Sequence, residues 1–169
     1  MVYVDALRRQ GQLPNGLVTA TRGNHGQSVA VAAVRNGLSC IVVVPENNST
    51  EKNAAMEAFG TELMIAGKDF DESRAVAASI ERERGYHLIP SFHREIAKGV
   101  ATYAHELFTV WSDLNVVYVP IGMGSGICGL ITVRDLLRLK TEIIGVVANN
   151  APAFALSFEI LPKVLALPR

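Results

Sequence analysis

The sequence predicts an α/β fold in which parallel strands are covered by helices on both faces. Short apolar stretches alternate with longer helical patterns along the 169 residues, and this alternation is typical of βαβ units with right-handed crossovers. Residues Cys40 to Val44 are all apolar, as in a parallel strand that is buried on both faces. With 49% hydrophobic residues the chain can fill a core. We therefore expect a three-layer, open parallel sheet.

Glycine, proline and capping residues divide the first half of the chain into eight elements. Pro14-Asn15-Gly16 is a turn between the opening helix and the first strand. Asn36-Gly37 and Gly60 are helix stop signals, Pro45 ends the second strand, and Gly85 follows the longest helix. The predicted helices cover 2–10, 25–36, 50–59 and 69–84, and the predicted strands cover 17–20, 39–44, 61–66 and 86–89.

The second half continues the alternation. Apolar runs predict strands over 115–120 and 142–148, and helical patterns predict helices over 96–111 and 126–140. The tail, 152–169, contains three prolines and is predicted to be one short helix followed by irregular chain. Ser112 to Asn115 is the expected lobe boundary, although no long linker marks it.

The charge balance and the cysteines limit the classes of partner. Sixteen basic and sixteen acidic residues give no net charge and no basic cluster, so no nucleic-acid partner is expected. No apolar run reaches the length of a membrane span, and the first residues lack the layout of a signal peptide. Cys40 and Cys128 lack the spacing of a metal or redox site. We expect a cytoplasmic protein without a metal or a membrane segment.

The most informative stretch is Thr19 to Gln27, which follows a short apolar run and precedes a helical pattern. In α/β proteins a turn of this kind lies at the carboxyl end of a strand, and the helix that follows offers free N–H groups to a ligand. Gly23 and Gly26 would let a flat ligand approach the backbone, and Asn24 and His25 supply hydrogen-bonding side chains. An ordinary helix N-cap, in which Asn24 or Thr21 satisfies the amides, is an equally good interpretation.

A second glycine-rich turn, Gly122 to Gly129, lies between a predicted strand and a predicted helix. Its backbone N–H groups could form an anion nest for a phosphate, and the alternative is a tight turn with close packing. Gly124-Ser125-Gly126-Ile127-Cys128-Gly129 also fits the dinucleotide pattern G-x-G-x-x-G, but the next strand ends in Asn149-Asn150 without the expected carboxylate. No Lys-Ser/Thr pair follows, so a Walker-type loop is disfavoured as well.

The remaining polar candidates have simpler interpretations. His87 and His93 are too loosely spaced for a zinc site, and His105 lies in a helical pattern where packing or exposure accounts for it. Lys52 follows a helix start and is expected to be solvated. Lys98 precedes Gly99 near a loop and is a slightly better candidate for a functional residue.

The first turn, Thr-Arg-Gly-Asn-His-Gly-Gln at 21–27, resembles the S-x-G-N-H-[AG]-Q motif of pyridoxal-phosphate (PLP) enzymes of fold type II. The resemblance is closest to threonine/serine dehydratases and serine racemase-like proteins, and it covers about residues 1–159. It implies a small lobe at 16–112, between remnants of a large lobe at 1–15 and 113–169. The other segments that carry it, in the same order, are 42–46 (Val-Val-Val-Pro-Glu), 59–63 (Phe-Gly-Thr-Glu-Leu), 99–103 (Gly-Val-Ala-Thr-Tyr) and 119–126 (Val-Pro-Ile-Gly-Met-Gly-Ser-Gly).

The resemblance also implies roles for the residues of both turns. Asn24 corresponds to the asparagine that hydrogen-bonds the 3′-oxygen of PLP. In such enzymes PLP serves as an electron sink for loss of the α-proton and the β-hydroxyl of threonine or serine, which yields a 2-oxo acid and ammonia. The residues implied to receive the substrate carboxylate are Thr21, Arg22, Gly23, His25 and Gly26, and those implied to hold the PLP phosphate are Gly122, Met123, Gly124, Ser125 and Gly126.

No lysine of this sequence matches the Schiff-base lysine of the family, which the resemblance places before the matching region. Because that lysine anchors the cofactor and shuttles protons, we expect no catalytic residue here, no covalent attachment of PLP and impaired turnover. The expected ligand is a small amino acid or another carboxylate. A non-catalytic, homo-oligomeric interaction or ligand-binding module derived from the family is the alternative, because a truncated large lobe would leave apolar strand faces uncovered.

Overall fold

The computed structural model describes residues 1–160, so the part of the predicted tail at 161–169 lies outside the described residues. Every predicted helix and strand is present, with boundaries that differ by a few residues. The helices are α1 Val2–Arg9, α2 Asn24–Arg35, α3 Thr50–Glu57, α4 Phe70–Arg84, α5 Arg94–Val110, α6 Ser125–Leu136 and α7 Ala153–Ile160. The strands are β1 Gly16–Ala20, β2 Ser39–Val44, β3 Glu62–Ile65, β4 His87–Leu88, β5 Val116–Pro120 and β6 Glu142–Val146.

All strand pairs are parallel, as the alternation predicts, but the strands of residues 1–160 form two sheets. One sheet has the order β3-β2-β1-β4, and the other contains only β5 and β6. The predicted α/β class with parallel strands is confirmed, and these strands are divided between two sheets. The chain accordingly divides into two compact units, Met1–His93 and Arg94–Arg169.

In the first unit β1 and β2 are the two central strands, and all five residues of β1 are buried. Val18 and Ile41 lie on the face that packs against Ala77 and Ile80 of α4. Helix α2 packs on the opposite face, where Val42 lies. Because both faces are covered by helices, this unit has the predicted three layers and a core of aliphatic side chains.

In the second unit helices α5 and α6 pack on one face of the β5–β6 pair. Val119 is buried there with Phe108 and Leu130. On the other face Tyr118 is 69% exposed. Among the described residues this face has no helical cover, so the expectation of helices on both faces holds only for the first unit.

The boundary between the compact units falls earlier than the sequence predicts. It lies between His93 and Arg94, whereas we expected it near Ser112, after the helix that is α5. Helix α5 packs closely on α6, and a Cβ placed on Gly129 would lie 3.2 Å from the backbone of Ala101. Helix α1 belongs to the first unit, so the predicted separation of 1–15 has no counterpart in this division. The assignment of segments to family lobes stays a prediction.

Two further features of residues 1–160 concern the length of the helices and the burial of the cysteines. No helix in this range is both long and apolar enough to span a membrane. Cys40 is buried in β2, and burial raises the pKa of its thiol to about 12, so the reactive thiolate scarcely forms at neutral pH. Cys128 is exposed on α6.

Candidate functional site

The first predicted turn begins where β1 ends, at the carboxyl edge of the four-stranded sheet. The Thr21 amide donates to the Val43 carbonyl at 3.0 Å and so continues the pairing of β1 with β2 beyond the last strand residue. The Thr21 hydroxyl then accepts a hydrogen bond from the Gly23 amide at 3.0 Å. Gly23 is the N-cap residue of α2. The chain therefore passes from a fully buried strand into a helix through three residues.

The hydrogen bonds of this turn leave the first amides of α2 available to a ligand. The Gly26 amide donates to the Gly23 carbonyl at 3.0 Å, and no side chain caps the helix. The amides of Asn24 and His25 have no acceptor within the helix, because the first turn of any α-helix lacks one. The N-cap interpretation is thus only partly correct, since Thr21 satisfies the Gly23 amide and leaves these two unpaired.

The Asn24 side chain lies on the surface at the start of α2 and forms no hydrogen bond with the described residues. Its amide group is therefore available to a ligand that presents an oxygen or an N–H group. The neighbouring Arg22 side chain is committed elsewhere, because its Nη2 donates to Oδ1 of Asn47 at 2.8 Å. Asn47 lies in the loop after β2, so this contact connects the two neighbouring loops rather than extending toward a ligand.

Lys52 lies beside the same turn, although the sequence predicts an ordinary solvated lysine. A Cβ built on Gly23 would lie 3.5 Å from Cδ and 3.7 Å from Nζ of Lys52. The side chain therefore extends over the turn and places its ammonium group near the N-terminus of α2. A topological argument could have found it: β1 and β2 are parallel neighbours, so the helices that follow them both begin at one edge of the sheet.

His25 points its ring toward the sheet. Its Nε2 atom lies 3.1 Å from the Thr19 hydroxyl, which donates to the carbonyl of Ile89 at 3.2 Å. Burial lowers the pKa of His25 below its ordinary value. The sequence gives no sign of this contact, because Ile89 lies seventy positions from Thr19.

Gly26 allows close packing and does not open the backbone to a ligand. It is buried, and a Cβ placed there would lie 2.5 Å from Sδ of Met56, 2.5 Å from Cγ2 of Thr21 and 3.0 Å from Cγ1 of Val42. The expectation that Gly26 opens the backbone to a ligand is therefore not supported by its surroundings. At Gly23, in contrast, the backbone is extended and the nearest atoms are at ordinary contact distance.

The second predicted turn connects β5 to α6 and has the geometry of an anion-binding loop. Gly124 is the N-cap residue of α6 and has a φ of 94°, a conformation that favours glycine. No side chain caps this helix, and its first bond runs from the Cys128 amide to the Gly124 carbonyl at 3.1 Å. The amides of Ser125, Gly126 and Ile127 therefore have no acceptor within the helix.

The loop has room for a phosphate group. A Cβ on Gly122 would meet no atom within 4 Å, and Met123 is exposed beside it. The hydroxyl of Tyr103 on α5 donates to the Gly126 carbonyl at 3.1 Å and holds the first turn of α6 in place. Three converging amides, a serine hydroxyl and a glycine that leaves space form a donor set suited to a phosphate dianion.

The other polar candidates are accounted for by local contacts. His87 forms a hydrogen bond with the Tyr3 hydroxyl at 2.9 Å, and His93 packs edge-on against the same ring. Lys98 forms an ion pair with Glu95 at 2.6 Å, and His105 is exposed on α5. No three histidine, cysteine or acidic side chains within residues 1–160 are grouped so that they could hold a metal ion.

The fold and the two uncapped turns agree with a comparison against protein families. Residues 1–167 match the family of pyridoxal-phosphate dependent enzymes, and the chain belongs to that family. A biosynthetic L-threonine dehydratase of Salmonella typhimurium is 32% identical over 159 residues, which are 90% of this chain and 31% of that protein. Threonine dehydratase 2 of Solanum lycopersicum is 34% identical over 149 residues, which are 86% of this chain and 25% of that protein. This chain thus spans about a third or less of these relatives.

The fold of this chain is also similar to the folds of solved structures. The processed form of threonine deaminase isoform 2 from Solanum lycopersicum matches with a TM-score of 0.78 and 32% identity, over 89% of this chain and 42% of that one. A PLP-dependent aspartate racemase matches with a TM-score of 0.83 and 27% identity, over 99% of this chain and 50% of that one. Maize serine racemase, 24% identical with a TM-score of 0.84 over 99% of this chain and 50% of its own, shares the fold.

The packing around Gly26 leads to a testable prediction. We expect Gly26→Ala to lower the free energy of unfolding by about 1–3 kcal/mol, because the new methyl overlaps Thr21 and Met56. Thr21→Ser removes one of the two overlapping atoms, Cγ2. The double variant should therefore be more stable than the sum of the single effects by about 1 kcal/mol, as measured by urea unfolding.

Gly23→Ala is the matched control in the same turn. Its methyl has room, so we expect a loss of under about 1 kcal/mol, consistent with exchanging glycine for alanine at an N-cap. Strict additivity of Thr21→Ser and Gly26→Ala would contradict the proposed steric coupling.

Proposed function

We propose that this chain forms the substrate- and cofactor-binding part of a threonine/serine dehydratase-like, PLP-dependent lyase. One observation supports this most strongly: in a chain of this family, both motif turns follow parallel strands and open into helices with uncapped amides. Such helix starts suit the two anionic groups that the chemistry requires, a substrate carboxylate and a cofactor phosphate. The expected substrate is a small hydroxy amino acid.

The turn at 21–26 receives the substrate carboxylate in this proposal. The amides of Asn24 and His25 donate to it, and Lys52 adds a positive charge above Gly23. Thr21 and Gly26 act indirectly, since their contacts shape the turn. Arg22 also acts indirectly, through Asn47. The Asn24 side chain has free hydrogen-bonding capacity for the 3′-oxygen of PLP.

The loop at 122–126 holds the PLP phosphate in this proposal. The amides of Ser125, Gly126 and Ile127 and the Ser125 hydroxyl are the donors, while Gly122 and the exposed Met123 leave the space open. When PLP is bound, its ring supplies an electron sink for loss of the α-proton and the β-hydroxyl. The residues of this chain contribute binding and orientation, and none of its lysines matches the family's Schiff-base position. We therefore propose that the residues of this chain bind PLP without a covalent bond to any of their lysines.

Cofactor binding is the first test of this proposal. Gly124→Ala should weaken PLP binding about tenfold, because alanine is strained at a φ of 94° and the loop must shift. Equilibrium dialysis with PLP measures the dissociation constant. Borohydride reduction followed by peptide mass analysis should find no lysine modified in proportion to the bound cofactor.

Gly85→Ala is the matched control for backbone strain. Gly85 also has a positive φ, of 64°, but ends α4 in the first unit. Equal loss of PLP affinity in both variants would argue against the phosphate loop, and stoichiometric reduction onto Lys52 would contradict non-covalent binding.

Substrate binding provides a second test. Lys52→Met should weaken L-threonine binding about three- to tenfold, because a partly solvated charge next to a carboxylate contributes on the order of 1 kcal/mol. Lys52→Arg should retain most of the affinity. Binding is measured by NMR titration in the presence of PLP, following the Asn24 amide.

Two controls separate a carboxylate contact from a general effect of charge. Lys68→Met removes another exposed lysine from the same unit, and L-threoninol lacks the carboxylate. If Lys52→Met weakens L-threoninol and L-threonine equally, Lys52 does not pair with the carboxylate.

A second candidate function is a homo-oligomeric interaction module. The exposed side chains of Tyr118 and Val116 on β5 and of Val146 on β6 favour it, since an uncovered apolar sheet face is typical of an interface. We propose that a second copy covers this face.

Both cysteines are free, which is consistent with the cytoplasmic location that we also propose.

Assembly is tested by sedimentation velocity over a range of protein concentrations. Tyr118→Lys should shift the wild-type dimer toward monomer by about tenfold or more in dissociation constant, because it places a charge within the apolar interface. Val34→Lys, at an exposed apolar site on α2, is the control. Concentration-independent monomeric sedimentation of the wild type would contradict this second function.

A further inference from the structure

Two hydrogen bonds connect the His25 ring to the ends of two strands. Nε2 of His25 lies 3.1 Å from Oγ1 of Thr19, and this hydroxyl donates to the Ile89 carbonyl at 3.2 Å. Thr19 is fully buried in β1, and Ile89 directly follows β4. Water therefore does not compete for the hydroxyl, and its single proton must serve one of its neighbours.

The two partners of the Thr19 hydroxyl indicate which ring nitrogen of His25 carries the proton. The Ile89 carbonyl oxygen can only accept and lies 3.2 Å from the hydroxyl oxygen. If the Thr19 proton pointed to His25 instead, two acceptor oxygens would face each other without a proton between them, so the proton is assigned to the contact with Ile89. The Ala20 carbonyl, at 3.5 Å, is a poorer alternative acceptor. The Thr19 oxygen can then only accept from His25, which requires a proton on Nε2 and leaves the lone pair on Nδ1 of the neutral ring.

We propose that His25 is a positioning residue whose Nε2–H group fixes the first turn of α2 against Thr19 and Ile89, so that the Asn24 and His25 amides face the substrate carboxylate. This inference rests on the proposed function, and it assigns the two halves of His25 different tasks. The backbone amide binds the ligand, while the ring binds the sheet. The Nε2–H group is consequently unavailable for direct contact with the substrate.

Four substitutions at the two linked positions test this assignment. His25→Gln places an N–H donor at about the distance of Nε2 from the backbone, whereas His25→Asn places it nearer, at about the position of Nδ1. Thr19→Ser keeps the hydroxyl, and Thr19→Val keeps the shape but removes the hydroxyl. The Thr19 pair thus separates the hydrogen bond from side-chain shape, and the His25 pair tests where the donor must lie.

The first measurement uses the protein without added ligand. A long-range ¹H–¹⁵N correlation spectrum at neutral pH should show a neutral His25 ring that is protonated at Nε2. The second is an NMR titration with L-threonine in the presence of PLP. His25→Gln and Thr19→Ser should stay within about twofold of the wild-type affinity, and His25→Asn and Thr19→Val should lose about fivefold, the equivalent of one hydrogen bond. The affinities of the four variants for L-threoninol should not show these differences, because L-threoninol lacks the carboxylate.

Several results would overturn the inference. A proton on Nδ1 instead of Nε2 would refute the tautomer argument directly. If both members of each pair lose the same affinity for L-threonine, and the losses follow the decrease in melting temperature, the role of His25 and Thr19 is purely structural. If the wild type binds no L-threonine, the proposed function fails. The tautomer, together with the Asn24 amide shift in the four variants, still decides whether the ring positions the turn.

Discussion

The parallel pairing of β1 with β2 is the constraint on which the geometry of the turn at 21–26 depends. The bond from the Thr21 amide to the Val43 carbonyl extends this pairing past the last residue of β1. It therefore fixes the point at which the chain leaves the sheet and enters α2. Because the neighbouring strand runs in the same direction, the loop that carries Asn47 and the helix that carries Lys52 begin at the same edge. A ligand at this edge meets groups from two loops that are distant in sequence.

Both turns lead into a helix with uncapped N-terminal amides, but different interactions fix their shapes. In the second unit the backbone of Gly124 adopts a left-handed conformation, and Tyr103 holds the helix start through the Gly126 carbonyl. In the first unit the turn has no left-handed residue, and side chains beneath it, Thr21 and His25, define its shape. A substitution at a glycine should therefore have different consequences in the two turns, through backbone conformation in one and through packing in the other.

The order and type of the elements were predictable because strand and helix signals are local. Pro45 and the glycines after the helices interrupt the pattern at the observed boundaries within a few residues. The resemblance implied a division into lobes, but the position of the observed division was not predictable, since it depends on which helix faces pack together, as Gly129 does against Ala101. The resemblance located both turns by short motifs.

The contacts within each turn were beyond sequence reasoning, for two physical reasons. Partners such as Ile89 for Thr19 are brought together only by the sheet register. The sequence, moreover, does not reveal why a glycine is required: Gly26 is required by close packing, although it was predicted to let a ligand approach, and Gly124 is required by its φ. The sequence also does not show that the Lys52 side chain lies over Gly23, because the two residues are far apart along the chain.

We propose that the uncapped amides at the starts of α2 and α6 bind a carboxylate and a phosphate, respectively. A crystal structure of the chain with PLP and L-threonine would locate both groups. We expect the phosphate within hydrogen-bond distance of the Ser125 and Gly126 amides and the threonine carboxylate within that distance of the Asn24 and His25 amides. Ligand density at neither helix start, with both ligands bound elsewhere on the chain, would contradict it.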